Sequence, residues 1–180
     1  HNPFEGLGFY LTDYGLITAW HVIGDAISHD AKNREIKVYS SAKTPLAKFI
    51  FATSIAQDNK LDAAILRDVP QEILRNFPQL PTTMDLPSKG DKVSAFQQHF
   101  SESRLSFELH RGDLLRIEDP GEEGTLCYTN CSFRHGMSGG PVFNEIGQVV
   151  GIVHSTTEQE KLGSFLSLKD CVRSTDVYGR

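Results

Sequence analysis

The sequence predicts an all-β fold built as two small β-barrels in tandem, and three observations support this prediction. Short apolar or alternating runs recur along the whole chain, and turn residues separate them. These runs divide into two series on either side of a segment that has no hydrophobic periodicity. Helical patterns are few and short.

The first series lies in residues 1–80 and predicts the N-terminal barrel. Each run has the length and the apolar or alternating pattern of a strand. Two further patterns, WHVIGDA after the second run and PQEILRNF (70–77), predict short helical segments. The five runs are GFYLT (8–12), LITAW (16–20), EIKVYS (35–40), LAKFIFATSI (46–55) and AAILRDV (63–69).

The second series lies in residues 92–180 and predicts the C-terminal barrel. Between the two series, residues 81–91 contain two prolines and a glycine without periodicity, which is typical of an interdomain linker. The closing segment LKDCVRS (168–174) predicts a short C-terminal helix. The runs of this half are KVSAFQ, RLSFELH, DLLRIE, TLCYTN, PVFN, QVVGIVHS and SFLSL.

Composition indicates a soluble globular protein of 180 residues that is able to bury a core of ordinary size. The 18 basic and 23 acidic residues leave a formal charge of −5, and no basic run is long enough to follow a phosphate backbone. We therefore expect neither nucleic acid nor membrane as a partner. The chain starts at His1 without a leader pattern, which predicts a piece of a larger polypeptide or complex.

The cysteines favour an intracellular location over a secreted one. Cys127, Cys131 and Cys171 make an odd count without the spacing of a disulfide framework, which suits a reducing compartment. Cys127, Cys131 and His135 are spaced by fours, so a structural zinc site is an alternative. Their C-x3-C-x3-H spacing differs from the common zinc patterns, and small buried thiols are ordinary beside a strand. No metal or cofactor is predicted.

The segment RHGMSGGPVF (134–143) surrounds Ser138 with three glycines and a proline. A serine hydroxyl needs a base to take its proton and a third group to orient that base. His21 directly follows a β-run, and Asp62 begins an apolar strand; alone, each has an ordinary structural explanation. Their order His, Asp, Ser divides them between the two halves, which predicts an active site in the cleft between the barrels.

On these residues the sequence resembles the chymotrypsin-like, or trypsin-fold, serine peptidases over nearly its whole length. GLGFYLTDYGLITAWHV resembles the G-x-G-F strand and T-A-x-H segment of that family, and LDAAIL resembles its Asp-bearing strand. GMSGGPVFNEIGQVVGIVHS is similar to its G-x-S-G-G-P signature and hairpin. GDKVSAF and LGSFLSLKDCVRS look most like the compact bacterial branch that includes HtrA-type proteases. The resemblance implies two six-stranded antiparallel barrels and a serine endopeptidase that cleaves proteins or peptides.

The resemblance also implies catalytic roles. Ser138 is expected to be the nucleophile, His21 the general base and then acid, and Asp62 the group that fixes the tautomer of His21. The backbone N–H groups of Gly136 and Ser138 are expected to form the oxyanion hole, where a side chain at 136 would obstruct the turn. Asp58 lies four residues before Asp62, which is preferred because it directly precedes AAIL.

For substrate specificity, the resemblance assigns the base of the primary pocket to Ser132, six residues before the nucleophile. A serine there argues against cleavage after lysine or arginine. His154, Ser155 and Thr156 are expected at the pocket edge, with Gly163 on the opposite wall. Relatives that cut after glutamate or glutamine have a histidine near this pocket, which His154 resembles. His154 lies one residue later than their histidine, however, and a shift of one residue reverses the face on a strand.

One departure from the digestive relatives concerns activation. They have an acidic residue just before the serine, which pairs with a new N-terminus, whereas this chain has Met137. Activation by that ion pair is therefore not expected. The cysteine that commonly follows the histidine is replaced by Val22, which agrees with the intracellular expectation.

Two alternative functions remain at the level of sequence. GMSGG also satisfies the G-x-S-x-G nucleophile elbow of α/β-hydrolases, but those enzymes have the order Ser, Asp, His, and the later histidine, His154, lies in a predicted hairpin. The other alternative is a catalytically silent trypsin-fold domain that serves as a protein-binding or regulatory module. Competent residues at all three catalytic positions argue against it, but a sequence does not prove turnover.

Overall fold

A computed structural model describes most of the chain, and its strands follow the two predicted series. Twelve strands and three helical segments are found in the described residues. The described ranges are 6–28, 36–39, 45–49, 55–58, 61–67, 69–75, 77–100, 105–119, 121, 124–157 and 161–172.

The N-terminal half contains a four-stranded antiparallel sheet and a separate two-stranded hairpin. The strands are β1 (Gly8–Leu11), β2 (Gly15–Ala19), β3 (Ile36–Tyr39), β4 (Pro45–Phe49), β5 (Ile55–Asp58) and β6 (Ala63–Leu66). The sheet has the order β1-β2-β6-β5, and β3 pairs with β4. The predicted single run 46–55 was wrong, because β4 and β5 belong to different sheets. Among the described residues of this half, closure into a six-stranded barrel is not seen and stays a prediction.

The C-terminal half is a closed six-stranded antiparallel barrel, as predicted. The strands are β7 (Lys92–Phe100), β8 (Leu105–Glu118), β9 (Leu126–Thr129), β10 (Pro141–Phe143), β11 (Val149–Thr157) and β12 (Leu162–Ser167). Their order around the barrel is β10-β11-β12-β9-β8-β7, and β10 pairs back with β7 to close it. Closure leaves the barrel without a free edge strand.

The helical segments lie where the three weak patterns predict them. They are α1 (Trp20–Ser28), α2 (Gln71–Leu74) and α3 (168–172). In the ranges that the structure describes, no helix has the length and apolar character needed to cross a membrane.

One strand of the barrel corrects the sequence analysis. RLSFELH and DLLRIE were predicted as two strands, but both belong to β8, which pairs first with β7 and then with β9. Gly112, which lies between the two runs, pairs with Val93 inside the strand. A Cβ on Gly112 would lie 2.3 Å from the backbone N of Cys131. The glycine is therefore required by a close backbone approach rather than by a turn.

The two halves share one hydrophobic core. Ile17 of β2 and Ile65 of β6 belong to the same buried cluster as Ile152 of β11 and Leu166 of β12. The predicted linker also contacts the barrel, because the N–H of Val149 donates to the carbonyl of Pro81 over 2.8 Å. The start of residues 81–91 thus runs along β11. The assignment of 1–80, 81–91 and 92–180 as separate structural units stays a prediction.

We predict that Gly112→Ala destabilises the barrel. The added methyl group overlaps the backbone at Cys131, and strain of this kind typically costs about 1–3 kcal/mol. Urea unfolding will measure the change in the free energy of unfolding. Ser106→Ala, at an exposed position of the same strand, is the control and should change that free energy by less than about 0.5 kcal/mol. Equal stability of the two variants would contradict the prediction.

Candidate active site

His21 and Asp62 meet because two neighbouring strands end at the same edge of the N-terminal sheet. Strand β2 pairs antiparallel with β6, with Ala19 opposite Ala63. His21 lies in the first turn of α1, which follows β2 directly, and Asp62 is the residue before β6. The end of one strand therefore adjoins the start of the other, and the two side chains come together.

Three contacts join Asp62 to the first turn of α1. Its carbonyl accepts the N–H of Trp20 over 3.0 Å, and its Oδ1 accepts the N–H of His21 over 2.8 Å. Nδ1 of His21 lies 2.6 Å from the other carboxylate oxygen, Oδ2. The first N–H groups of a helix lack partners within the helix, so Asp62 caps α1 while it holds the imidazole.

The geometry of this pair decides the tautomer of His21. A carboxylate only accepts hydrogen bonds, so Nδ1 of His21 carries the hydrogen and Nε2 of the neutral ring has a free lone pair. Asp62 reaches this position with a φ of 54°, in the left-handed region that aspartate tolerates better than most residues. His21 is thus arranged to take a proton at Nε2.

The hydrogen bond to Asp62 raises the pKa of His21 above its ordinary value of 6.5. Partial burial of the ring opposes this rise, and the negative charge of Asp62 adds to it. The side chain of His21 is 48% exposed and that of Asp62 is 17% exposed. The pair is therefore accessible to a substrate from the side of His21.

The loop that carries Ser138 is built from two successive tight turns. The N–H of Met137 donates to the carbonyl of Arg134, and the N–H of Gly140 donates to that of Met137, each over 3.1 Å. Gly136 has a φ of 91° and Gly139 a φ of 86°. Glycine adopts this left-handed region without the cost that a side chain adds, which explains two of the three glycines.

The same loop packs against the N-terminal half beside His21. The carbonyl of Ser138 accepts the N–H of Leu7 over 2.9 Å. A Cβ on Gly139 would lie 2.7 Å from the backbone N of Ala19, two residues before His21. The described contacts include no hydrogen bond between the side chains of Ser138 and His21. Such catalytic bonds are often long before a substrate binds.

The predicted oxyanion amides face no protein acceptor in the described part of the chain. Neither the N–H of Gly136 nor that of Ser138 donates to another described residue. The carbonyl of Gly136, in contrast, accepts a hydrogen bond from the side-chain amide of Gln98 on β7. Sequence reasoning missed Gln98, and no local signal reveals it, because the contact depends on how β7 lies against the loop.

Met137 and Phe133 form the apolar underside of the loop. Met137 is fully buried in the barrel core, and its Sδ accepts the N–H of Arg134. A carboxylate at position 137 would be buried among apolar groups at a high cost in free energy. The methionine found there instead is compatible with the core. A Cβ on Gly163 would lie 2.4 Å from the ring of Phe133, so this ring packs directly against Gly163.

His154 lies beside Asp62. Its Nε2 is 3.4 Å from Oδ2 of Asp62, and its Nδ1 is 3.2 Å from Oγ of Ser155. Thr156 follows on the same strand and is exposed. The structure thus brings one residue of the expected pocket edge against the candidate catalytic pair.

The possible zinc ligands do not form a cluster among the described residues. Cys127 and Cys131 are buried in the barrel core, whereas His135 is exposed on the loop. Burial raises the pKa of the Cys127 thiol to about 12 and that of Cys131 to about 11. Without a metal, both thiols therefore remain protonated at neutral pH.

Comparison with solved structures identifies proteins of similar fold. The active form of the protease Rv3671c from M. tuberculosis is 18% identical, with a TM-score of 0.69, and the match covers 97% of this chain and 73% of that one. The serine endoprotease from Yersinia pestis is 22% identical, with a TM-score of 0.67, covering 96% and 57%. The HtrA-type protease AlgW, solved with a decapeptide, is 18% identical, with a TM-score of 0.69, covering 96% and 51%.

At these identities the structural similarities show a shared fold, and the chain spans little more than half the length of the last two proteins. A comparison with curated proteins finds no match. The family model of the trypsin-like peptidase domain, however, matches residues 6–152. The resemblance to chymotrypsin-like peptidases is confirmed: the chain belongs to the trypsin-like peptidase domain family, and with it to the serine endopeptidases.

Proposed function

We propose that this domain hydrolyses peptide bonds of proteins or peptides through a triad of Ser138, His21 and Asp62. The 2.6 Å contact between Nδ1 of His21 and Oδ2 of Asp62 carries the proposal, because it presents Nε2 of His21 as a base. The loop of Ser138 packs against the end of β2, directly before the helix that carries His21. Residues 1–80 and 92–180 then form the two barrels on either side of the catalytic cleft.

In the first half of the reaction, Oγ of Ser138 attacks the carbonyl carbon of the scissile bond and passes its proton to Nε2 of His21. The carbonyl π bond opens to an oxyanion, while the charge of Asp62 stabilises the imidazolium. His21 then gives the proton to the leaving amine as the C–N bond breaks. Water then passes a proton to Nε2 of His21 and attacks the acyl carbon. As the bond between that carbon and Oγ breaks, His21 returns the proton to Oγ of Ser138.

The oxyanion of each tetrahedral intermediate is proposed to bind the N–H groups of Gly136 and Ser138. Their lack of acceptors among the described residues supports this role. Gln98 supports it further, since its bond to the carbonyl of Gly136 restricts rotation of the backbone at that glycine. Loss of one such donor typically costs about 3–4 kcal/mol of transition-state stabilisation.

The substrate side chain before the scissile bond is proposed to lie near Ser132, Ser155 and Thr156. An uncharged residue at the pocket base disfavours recognition of lysine or arginine. The ring of Phe133, which fills the space beside Gly163, favours a small side chain in that pocket.

We predict that a fluorophosphonate probe labels the wild-type chain under reducing conditions and does not label Ser138→Ala. His21→Ala should label far more slowly, because the serine loses its base, and peptide turnover should fall on the order of 10^6-fold in either variant. Gel fluorescence and peptide hydrolysis will measure these effects, with Ser106→Ala as a control of unchanged labelling. A well-folded wild type that fails to label would instead favour a silent binding or regulatory domain.

We predict that kcat/KM rises with pH as His21 loses its proton, with its midpoint above pH 6.5. Asp62 favours the charged form of His21, so Asp62→Asn should move this midpoint to lower pH. The same change should reduce kcat by about 10^4-fold, because the amide no longer stabilises the imidazolium. Peptide hydrolysis between pH 5 and 9 will test both effects. Full activity of Asp62→Asn would contradict this assignment and would mean that another carboxylate orients His21, with Asp58 as the first candidate.

A further inference from the structure

The carboxylate of Asp62 lies between two imidazole rings. Its Oδ2 is 2.6 Å from Nδ1 of His21 and 3.4 Å from Nε2 of His154. Its Oδ1 accepts the backbone N–H of His21. The side chain of His154 is 29% exposed and that of Asp62 is 17% exposed, so the contact between them is partly screened from solvent. The proposed triad does not use this second histidine.

A β-bulge explains why His154 faces Asp62. On β11, Val153 pairs with Phe165 of β12 and Ser155 pairs with Ser164, which leaves His154 as the extra residue between two pairs. A bulge bends its strand and changes the direction of the side chain at the bulged residue. The strict alternation of faces, on which sequence reasoning depends, therefore does not hold at His154.

The surroundings of the ring fix which nitrogen faces the carboxylate. Since Oδ2 of Asp62 only accepts hydrogen bonds, the 3.4 Å contact is favourable when Nε2 of His154 carries a hydrogen. Nδ1 lies 3.2 Å from Oγ of Ser155 and 3.3 Å from Oγ of Ser164. A hydroxyl either donates or accepts, so the two serines suit the neutral ring and the imidazolium equally. His154 thus keeps its donor towards Asp62 in both charge states.

Three ionisable side chains surround Asp62 in the described contacts, each on a different element. They are His21 on α1, His154 on β11 and Cys171 on α3, which lies within electrostatic reach of the carboxylate. Burial raises the pKa of Cys171 far above neutrality, so its thiol stays uncharged. The neighbouring Asp170 directs its carboxylate to the N–H of Thr125 and the hydroxyl of Ser167. The two histidines therefore dominate the electrostatics at Asp62.

We propose that His154 is a positioning residue of the catalytic centre, which holds Oδ2 of Asp62 through its Nε2–H from the side that His21 leaves open. This inference rests on the proposed triad and adds a fourth member to it. Both rings approach the same oxygen, so an Nε2–H of His154 directed at Oδ2 withdraws part of the negative charge that stabilises protonated His21. Neutral or charged, His154 therefore makes His21 release its proton at lower pH.

The first test follows the titration of His21 by NMR in a Ser138→Ala background, which requires no turnover. His154→Leu removes the donor and should raise the pKa of His21 by about one unit. His154→Gln retains an N–H donor and should return the pKa of His21 most of the way to its value in the Ser138→Ala protein. His99→Leu is the control. It removes a histidine on β7 that pairs with Glu108 and should leave the pKa of His21 unchanged.

An unchanged or lowered pKa of His21 in His154→Leu would overturn the proposal, as would equal shifts in His154→Leu and His154→Gln. Thermal unfolding of both variants will establish that they are folded. Because this readout does not involve Ser138, it stands even where the wild type fails to react with a fluorophosphonate. Failure of the proposed function and failure of this inference are thereby distinguished.

The second test separates positioning from substrate binding in the otherwise wild-type chain. With a peptide library, His154→Leu should lower kcat by about 10-fold with KM and side-chain preference unchanged, because a residue that acts only through Asp62 leaves the substrate contacts intact. His154→Gln should recover most of kcat. A changed preference with a raised KM and an unchanged kcat would instead place His154 in the substrate pocket and overturn the proposal.

Discussion

The bonds between Asp62 and the first turn of α1 are the constraint on which the candidate site depends. The carbonyl and carboxylate of one residue take the N–H groups of Trp20 and His21, and the second carboxylate oxygen takes the imidazole. Asp62 thereby fixes where α1 begins and which nitrogen of His21 is free. The helix cap and the proposed orienting group of the triad are the same side chain, so the stability of this junction and its proposed chemistry are coupled.

The loop of Ser138 lies against the end of β2 because the two halves pack through a common core. The barrel supports the loop from below with the buried Met137, while Gly139 allows the backbone to approach β2. The carbonyl of Ser138 is bonded to Leu7, and the N–H of Gly139 to Val153 on β11. The loop is thus held by both halves at once. A side chain at Gly139 would push these two surfaces apart.

The sequence predicted elements well where local pattern and pairing agree. The apolar run of β6 and the short helix after β2 were located correctly because burial and turn residues mark them in the chain itself. Sequence patterns were misleading where the role of a residue depends on its contact with a distant segment of the chain. Gly112 separates two runs that were predicted as different strands, yet its lack of a side chain accommodates the backbone of Cys131 within one strand. The run 46–55 likewise contains no local sign that β4 and β5 join different sheets.

The sequence by itself determined the family and provided the residues of the candidate site in their order along the chain, because these depend on chemistry that local motifs preserve. Only the tertiary structure decided that Gln98 binds the carbonyl of Gly136 and that His154 lies 3.4 Å from the carboxylate oxygen that contacts His21. The second contact depends on a single extra residue in the pairing of β11 with β12. Strand register and bulges arise from contacts between distant segments, and no local pattern encodes where such a side chain will point.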